Sequence, residues 1–539
     1  MVFGLFGSKE GAGGTWSSFL KKWGFVALCV LAVYLYVVIP WRQVGDVAVL
    51  VGYGFLTLAG LFAAYALFLW LGGRMNYKKQ LNSILKMGGG KKSSGLHGTA
   101  DFARKNDLKN MDLLRPDGFI LGRYEGQFLR FKKMGHLITF APTRSGKGVG
   151  HVIPNLLDHP GSVVVNDIKG ENYAISHRYR SQFTDVYTFA PFAETSNSLN
   201  PLDFVRVSTE YEMDDVQLIV GMMIEMNDKS DPFWDRAAQE MITGLIFHVL
   251  HNSPPELRNL SEVRYLLMMD EKDFTNVLDS MAKSKHELVQ RYGNAIKKHT
   301  EKVMSSVLAV AKAQTLIWDS PRLKSVTMSS DFNPMWLKER PCSLYIVIPP
   351  EYLDTYKPIM RLMTGIVIAS LARTPKRPQH PVLYLIDEFP ALGYMPNIES
   401  AIGWLAGYGV SLWLFIQDLS QIKANYQKWD SLVANCSVRA AFGTNDVETA
   451  KVLSDMMGTT TVTSRGTGTS KNSMFQVFND SHSVNISEQS RPLMTPDEVM
   501  RIPFDTQAIF VQGGKPIIAE KIMYFSDPYF KGKYDKWEG

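Results

Sequence analysis

Lys147, Asp387, Glu388 and Gln417 are of the types, and stand in the settings, that handle phosphate. Lys147 lies in "TFAPTRSGKGVG" (Thr139–Gly150), close to the pattern G-x-x-x-x-G-K-[ST]. In such a loop, backbone N–H groups and the helix that follows hold phosphate oxygens, and the lysine reaches the outer phosphates. The cradle would comprise Thr143, Arg144, Ser145, Gly146, Lys147, Gly148 and Val149. Two residues depart from the pattern. Ala141 stands at the first glycine, and Gly148 replaces the Ser or Thr whose hydroxyl ligates magnesium. The ion would then rely on water, a carboxylate and the phosphates, so weakened metal binding is expected. Alone, the stretch reads equally well as a Gly-rich turn.

A second element changes that balance. "PVLYLIDEFPALG" (Pro381–Gly393) is an apolar strand ending in two acids, the form of a Walker B strand. Asp387 would hold magnesium through water, and Glu388 would act as general base on the attacking water. A strand that ends in an acidic turn is common, but two such elements in this order point to an ATPase using ATP and Mg. Gln417 closes another apolar run, "GVSLWLFIQDLSQI", where its carboxamide could sense the γ-phosphate or orient water, or be simply a polar residue at a strand end. Asp167 and Lys169, in "NDIKGEN", follow a further run. They could lie near phosphate or a subunit contact, or serve as caps or ion pairs. Phe233 and Trp234 could face a pore or pack their domain; packing is the preferred reading.

The elements that must position these residues read as α/β. Strands are predicted at Leu137–Phe140, Ser162–Val165, Val186–Phe189, Leu344–Ile348, Val382–Ile386, Leu412–Ile416, Arg439–Phe442 and Ala508–Val511. Several are unbroken apolar runs, as in a parallel sheet covered on both faces. Between about Glu210 and Ser330 the pattern is helical throughout, an all-α insertion. The expected layout is a lead-in over 76–116, an ATPase domain over 117–209 and 331–527, the insertion over 210–330 and a short tail over 528–539. Thr459–Ser490 is rich in Ser, Thr, Asn and Gly and reads as a mobile loop, with at most a weak hairpin around Met474–Phe478.

The 539 residues carry a net charge of +6, but residues 1–100 hold ten Lys/Arg against two Asp/Glu. The remainder is slightly acidic, so bulk charge does not argue for nucleic-acid binding by the large domain. Within residues 1–75, two uncharged runs, about 23–40 and 47–71, would be roughly 27 and 37 Å long as helices, enough for a ~30 Å hydrocarbon layer. Trp23, Trp41 and Trp70 stand at their ends, and lysines and arginines flank the pair on one side. The expectation is a two-helix membrane anchor with both termini cytoplasmic. Cys29, Cys342 and Cys436 have neither disulfide nor zinc spacing.

The chain resembles the type IV secretion system coupling proteins, the TraG/VirD group of membrane-anchored ATPases. The resemblance rests on "HGTADFA", "LITFAPTRSGKGVGHVIPNLL", "SVVVNDIKGEN", "NPLDFV", "DPFWDRAA", "YLIDEFPALG", "NDVETAKVLSDMMG" and "RPLMTPDEVMRIP", from about residue 97 to 525, with the two spans in agreement. It implies a RecA-like P-loop NTPase domain with the all-α domain inserted, a homo-oligomer in the form of a hexameric ring, and a place in the bacterial inner membrane. Implied partners are the secretion channel and a DNA-relaxase complex or effector proteins. It also implies nucleotide between subunits and an arginine acting from the neighbour, for which Arg439 is the candidate. Gly after the lysine is a habit of the group, so Gly148 does not signal decay. Two alternatives stay open: a nucleotide-gated docking receptor without motor activity, and an FtsK-like DNA pump. The pump is disfavoured because no DNA-reading module is expected after the last strand. An ABC transporter is excluded by the lack of an LSGGQ-like signature.

Overall fold

A computed structural model describes residues 95–224, 232–470 and 481–537; at 465–470 and 481–486 it describes backbone only. The two apolar runs, Cys29 and Met474–Phe478 lie outside these residues. Among the described residues, no helix is long and apolar enough to cross a membrane.

The strands are β1 (Phe119–Tyr124), β2 (Gln127–Phe131), β3 (His136–Phe140), β4 (Val163–Asp167), β5 (Asp185–Phe189), β6 (Cys342–Val347), β7 (Val382–Ile386), β8 (Val410–Ile416), β9 (Cys436–Ala441), β10 (Thr459–Ser470), β11 (Ser481–Pro492), β12 (Thr506–Val511) and β13 (Ile517–Glu520). Eleven of them form one sheet in the order β2-β1-β13-β12-β9-β3-β8-β7-β4-β6-β5. From β9 to β5 all neighbours are parallel. Every residue of β3, β4, β7 and β8 is buried, as expected for strands covered on both faces.

The sheet is mixed rather than parallel throughout. β12, β13, β1 and β2 extend it with antiparallel pairs. Here β1 and β2 are joined by the tight turn Glu125-Gly126, and β12 and β13 by a short link that opens with the turn Gln512-Gly513; such links need no crossover helix and pair their strands antiparallel. The core also takes in residues expected to be lead-in or tail. Ala103, Leu108 and Leu113 are buried in it, and so is Phe530.

Between β5 and β6 the described residues are helical, from Glu212–Met223 and the long Pro232–Asn252 to Pro321–Thr327 and Trp336–Glu339. Phe233 is about half exposed, with its ring edge-on to the half-buried Trp234 at 5.0 Å.

The segment read as a mobile loop is instead a long hairpin. β10 and β11 pair antiparallel from Thr459↔Pro492 to Ser470↔Ser481. Its polar composition hid a strand signal: Thr and Val in "TTTVTSRGTGTS" are β-branched and favour extended backbone. "HGTADFA" seats this hairpin. Thr461 N donates to Gly98 O (3.1 Å) and Ala100 N to Thr459 O (3.0 Å). A Cβ at Gly98 (φ 148°) would lie 2.4 Å from the Thr459 carbonyl oxygen, so only glycine permits this approach.

Candidate functional site

The strand order brings the chemistry to one edge. β8 lies between β3 and β7, with Phe140 opposite Ile416 and Ile386 opposite Leu414. The segments leaving the three C-terminal ends therefore converge: Ala141–Lys147, Asp387-Glu388 and Gln417. This is where open α/β sheets bind ligands.

The loop after β3 is tightly wound. Arg144 (φ 63°) and Gly146 (φ 89°) both adopt left-handed backbone, an uncommon conformation for arginine. A single π-helical turn, Gly148–Val152, then leads into the α-helix Ile153–Asp158. Pro154 explains the wide turn, because it has no N–H for the Gly150 carbonyl and its ring crowds that oxygen. His151 anchors the turn to the sheet. Its Nε2 lies 2.9 Å from the Leu121 carbonyl, which can only accept, so Nε2 carries the proton. Its Nδ1 accepts from the Thr139 hydroxyl (3.1 Å), which in turn accepts from Trp413 Nε1 (2.9 Å). Burial holds the imidazole neutral, with its pKa down at about 4.

The predicted polar residues meet in a continuous chain. Thr143 Oγ1 donates to Gln417 Oε1 (3.0 Å), and Gln417 Nε2 donates to Glu388 Oε1 (3.0 Å). Lys147 Nζ donates to Glu388 Oε2 (2.5 Å) and to the Asp387 carbonyl (2.8 Å), with Asp387 Oδ1 at 3.6 Å. Burial opposes the Lys147 charge, but the Asp387 and Glu388 carboxylates outweigh it and raise the lysine pKa. Burial also raises the Asp387 pKa, while Lys147 and a hydrogen bond from Asn172 oppose the rise.

Asp387 fits a magnesium ligand. Its Oδ1 is buried and accepts no hydrogen bond among the described residues. A buried carboxylate oxygen that accepts no hydrogen bond and has a lysine 3.6 Å away suits an ion or its water shell. Gly148 supplies no hydroxyl, and a Cβ built there meets nothing within 4 Å.

Other predicted residues lie apart. Arg439 Nε and Nη2 donate to the Val433 (3.1 Å) and Ala434 (3.3 Å) carbonyls, capping the C-terminal end of helix Trp429–Ala434. It makes none of the contacts above. Lys169 is exposed. Asp167 is buried at the end of β4, where its Oδ2 accepts the Tyr173 N–H (2.9 Å). Burial, with Asp387 and Glu171 adding to it, pushes its pKa up to about 7.

Lys521 is a contributor the sequence reading missed. It is 6% exposed and donates from Nζ to the Ser145 carbonyl (3.1 Å), behind the phosphate loop. Its ammonium lies over the rings of Phe442 (4.2 Å) and Phe504 (4.9 Å), and burial pulls its pKa down to about 8. The available signal was a single lysine in the apolar stretch "IIAEKIMYF".

Comparison with known proteins bears on the family and the fold. The family described as type IV secretory system conjugative DNA transfer matches residues 94–537. A conjugal transfer protein TraG of Escherichia coli is 30% identical over 511 residues, covering 84% of this chain and 80% of the relative. Protein VirD4 of Agrobacterium fabrum is 29% identical over 450 residues, covering 80% and 66%. The plasmid coupling protein TrwB, solved with the ATP analogue ADPNP, shares the fold: TM-score 0.61 at 16% identity, covering 81% of this chain and 96% of that one. TrwB has also been solved with ADP and Mg2+, with a TM-score of 0.59 at 16% identity and coverage of 79% and 94%.

Proposed function

The chain belongs to the type IV secretory system conjugative DNA transfer family, and from that premise we propose that it is an inner-membrane coupling ATPase. It hydrolyses ATP with Mg and uses the energy to pass a DNA-relaxase complex or an effector protein to the secretion channel. In this reading the chain works as a ring, a hexamer, anchored by the two apolar N-terminal runs. The observation that carries the ATPase reading is the continuous chain Thr143–Gln417–Glu388–Lys147 beside Asp387.

In this reading each residue has a task that its contacts support. The loop Thr143–Val149 offers backbone N–H groups to phosphate, and Lys147 transfers its donors from Glu388 to the outer phosphates. Glu388, once released, is a free carboxylate at the strand edge, able to take a proton from water. Gln417 holds Glu388 from the side and passes the state of the loop to it through Thr143. Asp387 would hold Mg through water, and the ion when bound would neutralise phosphate charge. Arg439 caps a helix within its own chain, and we retain it only as the candidate arginine for a neighbour's site.

The test pairs phosphate release with substrate transfer in cells for Lys147→Ala and Glu388→Gln. Loss of both activities supports a motor. Unchanged transfer with hydrolysis abolished would overturn it in favour of a docking receptor.

A further inference from the structure

Far from the nucleotide site in sequence, Glu212, His251 and His286 bring together carboxylate and imidazole atoms that all lie within 4.8 Å of one another. Glu212 opens helix Glu212–Met223, His251 lies in the last turn of Pro232–Asn252, and His286 caps the start of Glu287–Ile296. Glu212 Oε1 meets His251 Nε2, and Glu212 Oε2 lies 3.9 Å from His286 Nε2. The second oxygen also accepts the Ser208 N–H at 3.0 Å. The glutamate side chain is almost fully buried at 4% exposure, with the histidines at 12% and 30%. The two imidazoles stack with centroids 3.6 Å apart and planes at 16°.

An ion pair alone accounts for this cluster poorly. One carboxylate balances one imidazolium, and a second cation stacked face to face on the first would be repelled. His286 Nδ1 is moreover buried without a hydrogen-bond partner among the described residues, a cost that a purely structural pair would not need to carry. A divalent cation removes the first difficulty, since it takes neutral imidazoles and offsets the buried carboxylate, and it removes the second where the His286 ring presents Nδ1 to the ion. Two nitrogens and one oxygen suit Zn²⁺, which binds His and Glu with a water in its fourth position. Mg²⁺ and Ca²⁺ demand more oxygens than the cluster offers.

We propose that Glu212, His251 and His286 form a Zn²⁺ site, completed by water, that staples the first α-helix after β5 to the end of one later helix and the start of another. To converge on one ion the stacked rings must turn slightly apart. His286, the more exposed of the two, has room to do so.

The test uses the full chain, stripped with a chelator and dialysed. Zn²⁺ is titrated in competition with a chromophoric chelator, and thermal unfolding is followed with and without Zn²⁺. The wild type should bind one Zn²⁺ tightly and unfold at higher temperature when it is present. His251→Ala and His286→Ala should lose the shift and bind weaker by more than the ~10–100-fold that loss of an outer partner of a metal-bound histidine costs. Asp387→Asn should keep the wild-type Zn²⁺ affinity and Zn²⁺-dependent rise in unfolding temperature, whatever it does to nucleotide turnover, which separates this site from the magnesium position. Equal Zn²⁺ affinity in the wild type and both histidine variants would overturn the proposal. Should the variants fail to fold, Co²⁺ added to the stripped wild type decides: intense visible bands of a four-coordinate site support it, and the pale spectrum of octahedral Co²⁺ refutes it.

Discussion

Glu388→Gln should move nucleotide binding and turnover in opposite directions. Lys147 Nζ donates to Glu388 Oε2 at 2.5 Å, so a phosphate that recruits the lysine must displace a carboxylate. Both side chains are 22% exposed, enough shielding for the contact to count. A hydrogen bond to a charged acceptor contributes about 1.5–3 kcal/mol net, and a neutral one about 0.5–1.5. Replacing the carboxylate by a carboxamide of the same shape therefore weakens the competing contact by about 1 kcal/mol. Nucleotide affinity should rise about fivefold. Turnover should fall by about 10²–10⁴, because the amide cannot accept a proton from water. Titration of a fluorescent ATP analogue measures the first effect, and phosphate release under saturating ATP measures the second. Lys147→Ala is the counterpart, expected to lose both binding and turnover. Turnover within about tenfold of wild type, or weakened binding, would refute the assignment of Glu388 as base and as competitor for the lysine.

Gly148→Ser should be accepted without loss of stability, because its Cβ meets nothing within 4 Å and serine is the better helix former. Nucleotide binding should then reach half-saturation at lower Mg²⁺, and an unchanged Mg²⁺ dependence would show that the hydroxyl position is irrelevant here. Lys521→Met keeps the apolar contacts with Phe442 and Phe504 but leaves the Ser145 carbonyl without its donor. A cost of about 1–3 kcal/mol, read by denaturant unfolding, and weaker nucleotide binding should follow; stability equal to wild type would dismiss the lysine as a support for the loop. Acid should destabilise the fold from about pH 6.5 downward, because burial holds His136 and His151 near 4 and His159 near 3. In that window the unfolded chain binds the extra protons, so stability falls with pH by about 1.4 kcal/mol per unit for each net proton. Asp167, raised to about 7 by burial, has the opposite sign: between its ordinary value and about 7 the folded chain holds the extra proton. Asp167→Asn should therefore steepen the acid loss of melting temperature, and an unchanged slope would exclude a buried proton at that site.

The parts of the fold that the sequence disclosed are those whose pattern is set locally. β3, β4, β7 and β8 are buried on both faces, so unbroken apolar runs announce them, and each predicted run corresponds to a strand within a few residues. β1, β2 and β13 are less apolar or very short, and their pairing depends on neighbours distant in sequence. Arg123 pairs with Glu520, for example. The β10–β11 hairpin was hidden because Thr and Ser satisfy a loop's composition and a strand's geometry equally.

The site shows the same division more sharply. The acids and the lysine could be named from motifs, since each motif carries its own strand-to-loop transition. Their mutual contacts could not, because they depend on β8 lying between β3 and β7, an order that differs from the order along the chain. That placement puts Gln417 within reach of Thr143 on one side and Glu388 on the other. Residues separated by 274 and 29 positions thus share one carboxamide, which can donate to the acid only while its oxygen faces the loop. A phosphate drawing Thr143 away would free that oxygen and unlock the Gln417 rotamer, and Glu388 would lose its lateral hold as Lys147 leaves. On the proposed reading, binding at the loop and readiness of Glu388 as base would then be one mechanical event, as a coupling ATPase requires of its site.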